Sequence, residues 1–319
     1  MAESIAKVLF MDAAEEKHEA LNRLCEQLDC LSKWVQRRTP GEEMTSPLSK
    51  YIEALAQVKK QDLEPSMDGR LQIRQGVAED RRVSIEDADM RHGRKSKSKR
   101  FNGYKQHVST HLDAELILAV AVTPANRPEE ESTPELQAAM SRMGFVPDEL
   151  HIDRAYLNSS LAEQVIAAGG NVLCKPWRGA NVRPGLFGKR DFKIDIRSGT
   201  IAGPAGEVEA FEPGSVVEFD PEACGPCRLR AKCTQAASGR GRTVTMGDDE
   251  ALQKKLRLLQ ATPAGREKLR KRVAIEHELA HLSSRQGPRA RYRGIRKNSF
   301  DLRRLGAIHN LEIIARRAA

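Results

Sequence analysis

The sequence has no run of some 18 apolar residues, which excludes a helix that spans a membrane. It has no basic lead before its first short apolar stretch, and acids follow at once in MAESIAKVLFMDAAEEKHEA, so it does not begin as a secretory leader. Cysteine is scarce and clumped, 6 in 319 residues, which excludes a disulfide scaffold and points to a reducing cytoplasm. No internal repeat is visible. Apolar residues make up only 39%, so the core is modest for a chain long enough for one large domain or two smaller ones.

What is plentiful is charge. Charged residues make up 30% of the chain, and the formal net charge is +9. The excess is uneven, crowding residues 91–105 and 266–304. Clustered lysine and arginine are the electrostatic footprint of a polyanion, with nucleic acid as the first candidate. A basic face that only keeps the protein soluble is the plainer alternative.

Periodicity divides the chain. Residues 3–37 read as helix, with Leu21, Leu24, Leu28 and Leu31 at helical spacing. The stretch 38–47 (RTPGEEMTSP) breaks it, and 47–60 is a second short helix striped by Tyr51, Leu55 and Val58. Residues 61–105 show much charge and little period, as an extended arm would. From 104 to 176 the order reads strand, strand, helix, strand, helix, strand. Residues 178–247 turn rich in Gly, Arg and Pro with short alternating pieces, a small β-rich insertion, and helical character returns near Asp248. The expected division is therefore 1–62 helical, 63–177 the first part of a core, 178–250 the insertion, and 251–319 the C-terminal helical part of the core.

Residues 266–285 (REKLRKRVAIEHELAHLSSR) read as one helix. At about 100° per residue, Leu269, Val273, Ile275, Leu279, Ala280 and Leu282 fill one arc and Lys271, His277, Glu278 and His281 the other, and Glu276 falls inside the apolar arc with Arg272 one turn before. A carboxylate on a buried face must be paired, metal-bound or catalytic. A structural Arg272–Glu276 ion pair is the plain reading. Asp153, in HIDRAY, is a second acid of interest because it ends a strand, where ligands bind in open α/β sheets. A turn-forming aspartate is its plain reading. Together the two acids could converge on Mg2+ or Mn2+. Two such ions, roughly 4 Å apart, can activate a water or 3′-hydroxyl on one side of a phosphorus and stabilise the leaving oxygen on the other.

Other groups carry weaker signals. In the basic run 91–105, Arg94, Lys95, Lys97, Lys99 and Arg100 alternate with serines beside Phe101 and Tyr104, as phosphate contacts with base stacking would require. Arg289, Arg291, Arg293, Arg296 and Lys297 form a second run directly after the Glu276 helix and would hold a DNA end. Cys224, Cys227 and Cys233 have zinc-ribbon spacing for three ligands, whereas structural Zn2+ takes four. Cys174 or a histidine could supply the fourth; a metal-free thiol remnant is the alternative. His277, Glu278 and His281 satisfy the H-E-x-x-H pattern of zinc proteases. No third ligand is evident downstream of them.

The blocks MRHGRKSKSKRFNGYKQHVS, HIDRAY, CKPW, the CxxC with a third cysteine, and RVAIEH followed by RARYRG resemble, in this order, a bacterial insertion-sequence transposase of the DDE type, from about residue 60 to the end. The resemblance implies an α/β fold: an RNase H-like core with a β-rich insertion before the last catalytic helix. It also implies metal-dependent cleavage and strand transfer at transposon ends, DNA as partner, and a homodimer on paired ends. Asp153 would be the second catalytic acid, Glu276 the third, and Arg272 the arginine four residues before it. The tyrosine and lysine of that pattern are absent, with Leu269 and Ser283 at their spacings. The first acid belongs on a central strand for which only residues 7–12 (KVLFMD) offer a candidate, and their flanks favour helix. The expectation is an N-terminally truncated transposase lacking that strand, with Asp87 and Asp89 as fallback acids or as ion-pair partners of Arg81, Arg82 or Arg91. Where such transposases carry a C-P-A-G turn, this chain has GPAG with Gly203 first. A non-catalytic DNA-binding remnant is the main rival; a zinc protease is a weaker one.

Overall fold

The computed structural model describes residues 14–38, 47–177, 183–287 and 289–319. The strand candidate at 7–12 lies outside them, as do most of the break at 38–47 and the first part of the insertion. In chain order the elements are α1 (Ala14–Arg38), α2 (Leu48–Asp62), β1 (Leu63–Pro65), β2 (Leu71–Ile73), β3 (Arg91–Arg94), β4 (Arg100–His111), β5 (Leu116–Pro124) and α3 (Thr133–Arg142). There follow β6 (Glu149–His151), α4 (Ser160–Ala167) and β7 (Asn171–Leu173). Next come β8 (Lys193–Asp195), β9 (Thr200–Ala202), β10 (Val208–Ala210) and β11 (Val216–Glu218), the single turns α5 (Pro221–Cys224) and α6 (Arg230–Cys233), and β12 (Thr243–Thr245). The helices α7 (Glu250–Ala261), α8 (Pro263–Arg270), α9 (Val273–Gln286) and α10 (Ile295–Ala318) end the chain. The content is mixed helix and strand, compatible with an α/β protein. Among the described residues no helix is long and apolar enough to cross a membrane.

The chain divides into two compact units, one of residues 1–140 and 278–319, the other of 141–277. In the first, β3, β4 and β5 form an antiparallel sheet in that order. Ile117, Val120 and Val122 of β5 pack with Leu282, Leu302 and Leu305 of the helices. Asn310 fixes α10 to the strand: its Oδ1 accepts from Ile117 N at 2.8 Å and its Nδ2 donates to Ile117 O at 2.9 Å. Gly306 of α10 faces Ile117 of β5, where a Cβ would stand at 3.4 Å, an ordinary contact.

This unit corrects the expectation of an extended arm over 61–105. Much of it is hairpin: β1 pairs with β2, and the basic run itself forms β3 and the start of β4. Its charges hid the strand because they line a face left to solvent, so no apolar alternation shows.

In the second unit, β6 and β7 are a parallel pair joined through α4. Local chemistry sets α4: Ser159 caps it by accepting from Ala162 N, and Gly169 takes φ +81° just past its end, a conformation suited to glycine. The strands β8–β12 form two small antiparallel sheets around Phe192, Ile201, Val217, Phe219, Val244 and Met246.

The long helix expected over 266–285 is two helices. Thr262 caps α8, accepting from Gly265 N, with Pro263 at its first position. The helical path breaks at Lys271–Arg272 and restarts at Val273. Glu278 and Leu282 are the buried residues of α9, and Glu276, expected on the buried arc, is exposed.

Candidate functional site: two acids on one arginine

The site lies within the second unit, at the carboxyl ends of its parallel strands. Ile152 N donates to Leu173 O at 3.1 Å, extending the β6–β7 pairing past its last formal pair. Asp153 then leaves the strand, and its Oδ1 accepts from Arg154 N at 2.8 Å, capping a short turn over Arg154–Tyr156. Arg154 is tied back by Nε, which donates to Lys175 O and Pro176 O at 3.1 and 2.8 Å. The helices α7 and α8 are anchored to the same strands: Trp177 N donates to Gln253 Oε1 at 2.8 Å, and Lys268 reaches Glu149 at 3.5 Å.

These anchors place the break after α8 beside Asp153. Arg272 Nη1 stands 3.5 Å from Asp153 Oδ2, and Arg272 Nη2 stands 3.0 Å from Glu276 Oε1. One guanidinium thus joins two carboxylates far apart in sequence. The acid side chains are 62% and 57% exposed and the arginine 27%, so the cluster is open to solvent. Beneath it Cys174 is buried, and that burial pushes its thiol up to about 11 against the pull of Arg154. It stays protonated near neutrality and sits with Asp153 and Arg272.

The oxygen donors suit a hard cation. Two carboxylates can hold one Mg2+ that keeps most of its water; a two-ion centre needs further acids. Among the described residues no group of three acids, thiols or imidazoles sits close enough to hold a metal ion.

The fallback acids serve the fold of the first unit. Asp87 is buried; its Oδ2 accepts from Gly294 N at 3.2 Å and from the Tyr104 hydroxyl. Asp89 Oδ2 accepts from Ile295 N at 2.9 Å. The pair caps α10, and burial with the Asp87 contact holds the Tyr104 phenol above its ordinary range. The arginines expected to pair with these acids go elsewhere: Arg81 to Asp62, Arg91 to Asp80, and Arg82 to the carbonyls of Ser84 and Ile85.

Arg94, Lys95, Lys97, Lys99 and Arg100 form the tip of the β3–β4 hairpin, all exposed. Among the described residues none of the five side chains pairs with a carboxylate. The second basic run is more engaged. Arg291 bonds the carbonyls of Arg285 and Gln286, and Arg293 pairs with Glu86 at 3.0 Å. Arg289, Arg296 and Lys297 are exposed.

Cys224, Cys227 and Cys233 line one small pocket of the second unit together with Gly203. Burial raises the Cys233 thiol, and Cys224 and Cys227 act on it in the same direction. Arg242 closes the pocket's edge, donating to Cys233 O at 2.9 Å and Phe187 O at 3.2 Å and standing 5.7 Å from the Phe192 ring. His277 and His281 are exposed and Glu278 between them in sequence is buried.

Sequence reasoning missed the break at Lys271–Arg272. Its signal was there: Pro263 after a capping threonine starts a separate helix, and cations at 270–272 crowd its last turn.

No curated protein and no solved structure matches the chain. The model of a protein family does: residues 207–315, a stretch that includes the three clustered cysteines, Arg272 and Glu276, match the transposase DDE domain, which supports assigning the chain to the DDE transposases and implies DNA as its partner.

Proposed function

We propose that the chain is a DNA transposase of an insertion sequence, with an RNase H-like core, which cleaves transposon-end DNA and joins it to target DNA. Asp153 and Glu276 are two of its catalytic acids and would hold the Mg2+ or Mn2+. The observation that carries the reading is the hold of Arg272 on both acids. A metal bound there would polarise a phosphate oxygen and lower the pKa of a bound water. Arg272 orients Glu276 and balances the two negative charges until a cation takes that part. The hairpin tip and the 289–297 segment hold the phosphates, a contact that positions DNA without reading it. A homodimer on paired ends belongs to the same reading.

A second reading, DNA binding without cleavage, is favoured by one observation: among the described residues no third acid joins the pair. Labelled transposon-end duplex with Mg2+ or Mn2+ separates the two. Nicking by the wild type that disappears in Asp153→Ala and Glu276→Ala, with binding retained, supports the transposase. Binding with steep salt dependence and no nicking in either metal supports the second reading.

A further inference from the structure

The β3–β4 hairpin carries more than a basic tip. Residues two apart on a strand share a face. His92 and Arg94 of β3 therefore stand together, and the register sets His92 opposite Asn102 and Arg94 opposite Arg100. All four are exposed. The alternate positions turn the other way. Gly93 is buried, and a Cβ on it would meet Ala125 and Phe101 within 2.8 Å. One face of the hairpin is packed and the other is a ladder of two cross-strand pairs, imidazole with carboxamide and then guanidinium with guanidinium.

Beside the first pair lies a cavity of about 320 Å3. Val58, Val83 and Ile85 give it aliphatic walls, and Arg81 gives it a flat cation held in place by Asp62, with Nε 2.8 Å from Oδ1. Among the described residues the side chains of His92 and Asn102, which also line it, have no hydrogen-bond or ionic partner. Two uncommitted polar groups at the mouth of a half-apolar cavity are what an unpaired ligand edge would satisfy.

We infer that this cavity takes one unpaired nucleobase of a single-stranded segment, with the adjoining phosphates on Arg94 and Arg100. The inference rests on the DNA reading above and adds a base-binding site to it. Aliphatic walls and a guanidinium plane suit a flat ring. A carboxamide can both donate to and accept from a base edge. The volume is at the small end for ligand pockets, so it holds one base. Arg94 and Arg100 lie about 7 Å further along the hairpin, on the same face, where the chain of the nucleotide would run.

Fluorescence anisotropy with a labelled single-stranded oligonucleotide and with its abasic counterpart tests this. The base-bearing strand is expected to bind roughly tenfold tighter, the effect of one base lodged against protein. His92→Ala and Asn102→Ala should each bring it towards the abasic value and leave abasic binding unchanged. Arg94→Ala should weaken both strands alike and reduce the salt slope by about 1. Equal wild-type affinity for the two strands, or equal losses on both in Asn102→Ala, overturns the base site while leaving DNA binding intact. Failure of every nucleic acid to bind overturns the DNA reading and the base site with it.

Discussion

The unit of residues 141–277 buries one acid, Glu250, on Lys189 but leaves its other ligand-type clusters more open than the unit of 1–140 with 278–319 leaves Asp87 and Asp301. In the first of these, Asp153 and Glu276 share one arginine in solvent, and Cys224, Cys227 and Cys233 line one pocket together with Gly203. In the other, acids are buried: Asp87 holds a helix start and a tyrosine, and Asp301 is fully buried with its Oδ1 on Arg304 and its Oδ2 without a hydrogen-bond partner. Burial of an acid in this chain therefore marks architecture, and exposure around a shared cation marks the place where a ligand could still enter. Adding a donor should change the behaviour of the open unit, and removing one should damage the closed unit.

The largest effect is expected from Gly203→Cys. A Cβ at 203 meets Phe219 at 3.4 Å, Glu207 O at 3.7 Å and Phe192 at 3.8 Å, ordinary contacts. Four thiols are the number a structural Zn2+ takes, and the three present do not by themselves form a group that could hold a metal ion. The variant should retain Zn2+ through desalting and gain on the order of a few kcal/mol of zinc-dependent stability, with the wild type showing neither. Equal zinc retention by both proteins would remove the thiol pocket from the class of incomplete sets.

Asp87→Ala should follow, at about 3 kcal/mol, because it leaves Gly294 N–H and the Tyr104 hydroxyl without their shared acceptor. Asp153→Ala and Glu276→Ala, at exposed ion pairs, should each stay within about 1 kcal/mol. Urea denaturation measures all three. Similar losses at Asp87 and Asp153 would erase the distinction between the units.

The sequence made the strand and helix order of 104–176 legible, because turn residues punctuate it: Asp113, Pro124, Pro134 and the Gly169–Gly170 pair. It brought Asp153, Arg272 and Glu276 into one argument, and in the structure they adjoin. The warrant was mistaken, however. Glu276 was singled out as a charge on a buried face, whereas the buried glutamate of α9 is Glu278. Val273 and Ala280, which adjoin Glu276 on the helical wheel, are exposed as well, so the buried face of α9 is narrower than its apolar arc and is centred towards Glu278 and Leu282. The role of Asp87 and Asp89 was not legible, since they cap a helix that starts more than 200 positions later (Ile295). Nor was the cavity beside His92, because its walls come from α2, residues 81–85 and the hairpin.

Glu278 departs from the pattern of Asp87, as one oxygen of Asp301 does. Its Oε2 is buried without a hydrogen-bond partner, and burial raises its pKa, with Thr110 and His309 opposing. A glutamate whose folded pKa lies above its unfolded one adds stability below the unfolded value, and that contribution is lost as pH rises through the folded value. Near neutrality the charge is a burden. Glu278→Gln should therefore gain about 1 kcal/mol at pH 7, and the gain should vanish towards pH 4. A loss at pH 7 would mean that the carboxylate is committed after all, like Asp87.

A small stability change is also expected at the centre of the open unit. Arg272→Gln removes two exposed ion pairs and should shift stability by less than about 1 kcal/mol. Its effect on cation binding should be larger. Arg272 is the cation at 3.0 Å from Glu276 and 3.5 Å from Asp153, so without it the two carboxylates face each other with their charge uncompensated. Mn2+ affinity, read by titration calorimetry, should rise roughly tenfold, as expected when a unit charge a few ångströms away is removed in a solvent-exposed setting. If the acids merely decorate the surface and diverge once released, affinity will not rise. An increase that Asp153→Ala or Glu276→Ala abolishes in the Arg272→Gln background would show that both acids address the same cation, which is the condition for any chemistry at this site.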